Sequence, residues 1–256
     1  MTLIFFFIAC IITGWPGEPA LAAPADVAAA DALMQGNHWG ETQAREALRR
    51  YEQMLYGAGD DRLPLLTRLA RTCFVVGDLT DDKNRRQFYD KGLGWSEQIR
   101  QDFPGRVEGH YWLALNLAGM ADSGSKGQAL QLLPRILQEL EKAVALDPAY
   151  DQAGAHRVLG RIYFEAPGWP MSVGDLPKAL QHLTMAARLA PSNSTNHLYL
   201  AEALIRLDRL TEARAELERV LTASRHAVTP QGLEDDQRAA RRLLRELQGL
   251  SPTARP

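Results

Sequence analysis

Apolar residues recur along most of this chain at offsets of three, four and seven, the spacing that puts them on one face of a helix. The recurrence has a finer form. His156, Leu159, Gly160 and Tyr163 make a quartet: a large residue, a leucine, a small residue, another large one. Leu66, Leu69, Ala70 and Cys73 repeat it, as do His110, Leu113, Ala114 and Leu117, and then His197, Leu200, Ala201 and Leu204. A second stripe follows each quartet. In chain order these are Gly92, Ser96 and Ile99; Ile136, Leu140 and Ala143; Ala179, Leu183 and Ala186; and Ala213, Leu217 and Val220. Pro104, Pro148 and Pro191 close the first three pairs. The small residue of each quartet, Gly160 for example, lets the second helix approach closely. Such a pair cannot bury its apolar face alone, so it needs neighbours. Ala44, Ala47, Leu48, Tyr51, Met54 and Leu55 predict a further helix over 41–56, ended by Gly57 to Asp61. After a polar linker from Arg225 to Asp236, Ala239, Ala240, Leu243, Leu244 and Leu247 predict a covering helix over about 235–247.

Four serial pairs with shared exit prolines resemble tetratricopeptide repeats (TPRs). The fold expected is all-α: a TPR-like α-solenoid of about four helix-turn-helix repeats, with extended loops inside the repeats and capping helices at the ends. Spacing locates the departures from a plain repeat. His197 to Val220 spans 23 residues, the interval of a 34-residue unit. Leu66 to Ile99 and His110 to Ala143 each span 33, and His156 to Ala186 spans 30. Three units therefore carry insertions of seven to ten residues. Between the second pair, Gly119 to Gln128 reads as a Gly/Ser loop, with Pro134 in the first turn of the next helix. The third insertion, Pro167 to Gly174, is apolar and stiff, and its Trp169 and Met171 call for a cover: a neighbouring loop, a ligand or a partner.

Composition changes this picture little. The chain has 256 residues, 46% apolar and 23% charged, with a formal net charge of −2. No basic run suits a nucleic-acid partner. Arg238, Arg241, Arg242 and Arg245 share their helix with leucines and read as a solvated face. Residues 1–22 differ from the rest. Leu3 to Ile12 is apolar but too short to cross a bilayer, and Ala20-Leu21-Ala22 supplies a small-x-small cleavage site. These residues predict a signal peptide, although no Lys or Arg precedes the apolar run, with the chain periplasmic or secreted. The alternative is a lipoprotein anchored at Cys10, behind a poor lipobox, and only then would a membrane be involved. Cleavage leaves Cys73 as the one cysteine, a small buried hydrophobe on this reading. Residues 23–40 read as a linker or leading helix, 41–249 as the helical domain and 250–256 as a disordered tail.

Gly109-His110-Tyr111-Trp112-Leu113-Ala114-Leu115-Asn116-Leu117 resembles a helix of the TRAP-transporter T-component family. The likeness continues through Leu133-Pro134, Ala145 to Pro148, Ala155 to Tyr163 and Gly174-Asp175-Leu176, roughly residues 44–222. It implies a periplasmic, often lipid-anchored helical protein that associates with the substrate-binding subunit of a tripartite transporter. Trp169-Pro170 has no role in that pattern.

Catalytic motifs are missing: there is no HExxH, nucleophile elbow or CxxC, and Gly124-Ser125-Lys126-Gly127 lacks the rest of a phosphate loop. The chain reads as a non-enzyme without cofactor. His110, His156 and His197 hold one slot in three units, but adjacent packed helices lie about 10 Å apart, too far for the three to share one zinc ion. Asn193-Ser194-Thr195 is a formal glycosylation sequon that reads better as a helix cap. Function is then expected on the inner wall formed by the first helices. Arg157 and Arg161, one turn apart, need an anion or an internal partner such as Glu165 or Glu202. They partly resemble the carboxylate clamp of peptide-binding TPR domains, with Leu115 where the clamp has asparagine and Asn116 one position off. The candidate binding residues are Tyr111, Asn116, Arg157, Arg161, Glu165, Trp169, Glu202 and Arg206. The occupants expected are a protein partner, a transporter's substrate-binding subunit among them, or a small apolar or anionic ligand.

Overall fold

Helices occupy nearly all of a computed structural model that describes residues 25–34, 40–55, 62–81, 83–168, 171–223 and 229–249. They are α1 (Ala25–Leu33), α2 (Glu41–Leu55), α3 (Leu63–Leu79), α4 (Arg85–Asp102), α5 (Val107–Asp122), α6 (Lys126–Leu146), α7 (Tyr150–Glu165), α8 (Leu176–Leu189), α9 (Ser194–Arg206), α10 (Leu210–Thr222) and α11 (Pro230–Gly249). The four predicted pairs are α3–α4, α5–α6, α7–α8 and α9–α10. The chain divides into two compact units at Pro148/Ala149. In the first, α1 packs on α2, α2 on α3, α3 on α4 and α5, and α5 on α6; in the second, α7 packs on α8, α8 on α9, and α9 on α10 and α11. Among the described residues, β-structure is limited to an isolated bridge between Gly168 and Gly174. No described helix is long and apolar enough to cross a membrane.

The quartets and stripes are the core. Leu66, Leu69, Ala70, Cys73, Ile136, Leu140, Ala143, Leu159, Ala179, Leu183, Ala201, Ala213, Leu217 and Val220 are all at or near zero exposure. Gly160 carries the close approach expected of it: a Cβ there would meet Leu183 Cγ at 2.6 Å and the Leu183 backbone nitrogen at 3.2 Å. Helix α5 is buried around its whole circumference, from Val107 to Gly119. A helix apolar on all sides belongs in an interior. Cys73 behaves as the small hydrophobe expected: burial pushes its thiol up to about 12.

The insertions take two forms. Between α7 and α8 the described extra residues, 166–168 and 171–175, stay outside the helices. Met171, expected to be covered, is 71% exposed there. In the two earlier pairs the extra residues mostly lengthen helices, to 17 and 18 residues in α3 and α4 and to 21 in α6. The Gly/Ser loop expected over 119–128 shrinks accordingly to 123–125. The cause is local: Ser125 and Gln128 form a capping box, Gln128 N donating to Ser125 Oγ at 3.3 Å and Ser125 N to Gln128 Oε1 at 3.1 Å. The helix therefore starts at Lys126, and Pro134 lies inside it rather than in its first turn. Pro134 is exposed, so the carbonyl it deprives of a partner is on the solvent side.

Of the linker and the leading helix weighed for residues 23–40, residues 25–33 take the helix, while the last helix starts earlier than expected. Residues 25–33 form α1, whose Asp31 accepts from Tyr51 Oη at 2.5 Å and from Arg68 Nε at 2.8 Å. The polar stretch ahead of the last helix becomes helical from Pro230, because Leu233 and Asp236 are buried there. Arg238, Arg241, Arg242 and Arg245 are solvated, as their pattern implied. The signal peptide, Cys10, Trp169 and the 250–256 tail lie outside the described residues.

Candidate functional site

The repeated histidine slot does one job three times. His110 Nδ1 lies 2.6 Å from Glu139 Oε2, His197 Nδ1 lies 2.6 Å from Glu216 Oε2, and His156 Nδ1 lies 3.0 Å from His182 Nδ1. In each case the first helix of a pair reaches the residue three positions after the first landmark of the second helix. The slots are equivalent, as the pattern required, but two hold histidine–carboxylate pairs and one holds two imidazoles. Burial pushes the Glu139 and Glu216 carboxyls up, yet hydrogen bonds from His110 and Lys142, and from His197 and Arg219, hold both below the usual range. In the first pair Leu66 occupies the slot, and Trp95 holds the equivalent position of α4. Among the described residues no group of three or more His, Cys, Asp or Glu is placed to hold a metal ion.

Four of the eight candidate residues come together where α7 meets α9. Arg161 Nη2 lies 2.8 Å from Glu165 Oε1, and Arg161 also pairs with Glu202. Its guanidinium lies over Tyr199 at 4.5 Å and over Phe164 at 5.2 Å. Arg206 stacks on the same Phe164 ring, 3.8 Å from its centroid, and donates to the Phe164 carbonyl at 2.8 Å. Arginine suits such a place because its flat cation stacks and hydrogen-bonds at once. Burial works against the Arg161 charge; Glu202, Tyr199 and Glu165 more than offset it, and its pKa is raised. Two arginines and two carboxylates sum to zero charge here. Arg206 is exposed and Glu165 and Glu202 are half-buried, so this edge of the cluster faces solvent.

Arg157 is not beside Arg161 on a wall; it is fully buried. Its Nη1 donates to the Gln152 carbonyl and to Asn196 Oδ1, both at 3.2 Å, and its Nη2 lies 3.6 Å from Asp151 Oδ2. These bonds hold an unusual start to α7. Asp151, Gln152 and Ala153 have φ of 47°, 57° and 60°. Left-handed backbone costs about 1–2 kcal/mol per non-glycine residue. Asn193 and Asn196 add their own grip, on Gln152 Oε1 at 3.1 Å and on its carbonyl at 3.2 Å. Asn193 is also the cap of α9, accepting from Asn196 N at 3.1 Å. Ser194 and Thr195 donate to Asp236 Oδ2 of α11 at 2.6 and 2.8 Å. Asn193, Ser194 and Thr195 are all buried, so the sequon serves as a cap, as its position suggested.

Tyr111 and Asn116 belong to the other unit. Both have zero exposure, which withdraws them from direct contact with a partner. Tyr111 packs edge-on against Trp112, ring centroids 5.0 Å apart. Asn116 donates to the carbonyls of Ala70 at 3.2 Å and Trp112 at 2.8 Å, tying α5 to α3. Its amide fits only because residue 92 is glycine: a Cβ there would sit 2.1 Å from Asn116 Oδ1. The same unit holds a cavity of about 570 Å³ between α2 and α4, lined by Glu52, Leu55, Lys91, Gly94, Trp95 and Gln98. Sequence reading did not find it. Its signal was Lys91, Trp95 and Gln98 on one helical face opposite Glu52 and Leu55, a pattern shared by any half-exposed helix. His182 was missed for the same reason.

These hairpins, with small residues at their crossings and landmarks at fixed slots, make an all-α TPR-like protein. A tetratricopeptide-repeat family model matches residues 171–227. A solved thermophilic TPR protein of Thermus thermophilus is similar in structure at 19% identity, covering 86% of this chain and 98% of that one, with a TM-score of 0.62. MamA is similar at 15% identity, covering 78% and 93%, with a TM-score of 0.46, too loose to carry an argument. The model of the family described as regulator of microtubule dynamics protein 1-3 matches residues 26–172, more than half the chain. This chain belongs to that family. No curated protein matches it.

Proposed function

We propose that this protein is an exported, non-catalytic TPR scaffold that works by holding another protein. The supporting observation is the run of TPR-type hairpins, a fold whose members generally act by binding protein partners. The charged groups at the α7/α9 edge are arranged to pair and stack, which suits recognition of a charged surface. The family's name refers to an effect on microtubules, a protein assembly, and so agrees with partner binding. The likeness of residues 109–117 and 155–163 to T-components suggests a transporter's substrate-binding subunit as an alternative partner. Cross-linking and purification of the intact chain from its own host tests the reading. The expected result is a stoichiometric protein whose carboxylate cross-links fall on Glu165 or Glu202. Recovery of a monomer carrying only a small molecule overturns it. N-terminal sequencing tests export: the mature chain begins at Ala23, and a retained Met1 refutes cleavage.

A second reading, a carrier of a small apolar or anionic ligand, is favoured by the α2/α4 cavity. Its volume lies within the range of about 300–1,000 Å³ typical of ligand sites. Native mass spectrometry of the freshly purified protein separates the two readings.

A further inference from the structure

One carboxylate in the first unit is gripped as a ligand is gripped. Asp31 of α1 accepts from Tyr51 Oη of α2 at 2.5 Å, and its two oxygens accept from Arg68 Nε and Nη2 of α3 at 2.8 and 3.0 Å. The guanidinium fork meets both oxygens, the geometry that selects a carboxylate over other acceptors. The donors are set in place by their own helices. Arg68 Nη1 donates to the Pro64 carbonyl one turn back at 3.2 Å, and Tyr51 lies in the buried stripe of α2 with Ala44 and Leu48. Burial and the facing Asp31 push the Tyr51 phenol up, so its hydroxyl keeps the proton it donates. Arg71, one turn along α3, adds positive charge beside it.

The helix that brings this carboxylate is otherwise lightly held. Helix α1 has nine residues, fewer than the about 12–15 an isolated helix needs to hold in water. Ala30 is its one buried residue, and Met34 follows just beyond its end. Helix α3, by contrast, is buried without a break from Leu65 to Ala70. Asp31 is thus the main anchor of α1. We propose that Tyr51 and Arg68 form a recognition site for an acidic side chain on a helix of a protein partner, and that α1 is its built-in occupant, which the partner's helix displaces. The site belongs to α2 and α3 and stands whatever the α7/α9 edge holds. A helix on a short tether acts at an effective concentration of about millimolar, so α1 shuts out weak carboxylates. A partner succeeds by adding contacts of its own on the surface that α1 leaves. An amide in place of the carboxylate offers the fork one acceptor and no charge, and a cation is repelled by Arg68.

The test uses the full chain and, as probe, a fluorescein-labelled peptide of residues 24–34. Asp31→Lys in the chain sets a cation against Arg68 and frees the site. The peptide then binds saturably, one per chain, and about ten-fold or more tighter than it binds the unaltered chain. Asparagine in place of the peptide's own Asp31, or Tyr51→Phe or Arg68→Gln added to the chain, weakens that binding by about ten-fold or more. Glu165→Gln and Glu202→Gln leave it unchanged, so failure at the α7/α9 edge is told apart from failure here. Should Asp31→Lys unfold the first unit, hydrogen exchange of the unaltered chain decides: the amides of 29–34 exchange ahead of those of α2 and α3. No binding to a folded Asp31→Lys chain, equal binding of the asparagine peptide, or α1 amides protected as long as those of α3 overturns the proposal.

Discussion

Helices α7 and α9 lie in one unit, carry the same quartet and present the same slot, yet they begin in opposite ways. Helix α9 starts at an asparagine cap whose following hydroxyls are bound by a buried anion, Asp236. Helix α7 starts on three left-handed residues held by a buried cation, Arg157. Asn196 sits between them, donating to Gln152 and to the Ala186 carbonyl and accepting from Arg157. The apolar repeat therefore fixes which faces are covered and leaves open how each helix end is satisfied. An end with good capping residues satisfies itself locally. An end without them, as at Ala149, borrows polar groups from its neighbours.

The largest effect expected is at the borrowed end. Arg157→Ala takes the buried guanidinium away from Asp151 and removes the bonds to the Gln152 carbonyl and to Asn196 that hold the left-handed turn. Breaking a buried pair from one side costs about 3–5 kcal/mol. Urea unfolding should show that loss for the second unit; a change as small as a surface substitution would mean the turn is not held by Arg157. Next in size is the crossing of α7 and α8. Gly160→Val places new carbon against Leu183, and overpacking of this kind costs about 1–3 kcal/mol. The equivalent site in α9 already carries Ala201, so Ala201→Gly should cost only about 1 kcal/mol, chiefly through helix propensity. Thermal unfolding of the two variants, compared directly, would break the comparison if their order were reversed.

Much of this was legible beforehand and part was not, for a physical reason. Burial faces follow from a single-helix period, so Leu159, Gly160 and Leu183 could be read from the chain alone. Partners across helices do not follow from that period. Arg157 and Arg161 read as neighbours on one wall; in fact a turn of helix sends one into the interior and the other to a carboxylate-lined edge. Glu165 and Glu202 were named as internal partners of the two arginines, and both pair with Arg161. The α5–α6 boundary failed differently. Ser125 and Gln128 form a box written plainly in the sequence, but the surrounding Gly124 and Gly127 suggested a loop. His182 and the α2/α4 cavity gave no signal, because each depends on which residue faces it.

The smallest effects belong to the locally satisfied end. Asn193→Ala removes the α9 cap and a single bond to Gln152 Oε1, and should cost about 1–2 kcal/mol, measurable as a drop in unfolding free energy. Asp236→Asn is subtler and concerns pH. Burial raises the Asp236 carboxyl above its ordinary value of 3.8, although Ser194 and Thr195 hydrogen bonds and the nearby Arg157 pull the other way. A raised acid binds its proton more tightly in the folded chain than in the unfolded one. Its contribution to stability is therefore largest at acid pH and declines as pH climbs from about 3.8 through the folded value, then stays level. Asp236→Asn keeps an acceptor for one hydroxyl and cannot ionise, so it should flatten that decline while changing neutral-pH stability by only about 1 kcal/mol. The same decline in native and variant chains would place its source elsewhere and would mean that the anion at α9 carries no cost. The contrast with the cation at α7 would then rest on Arg157 alone.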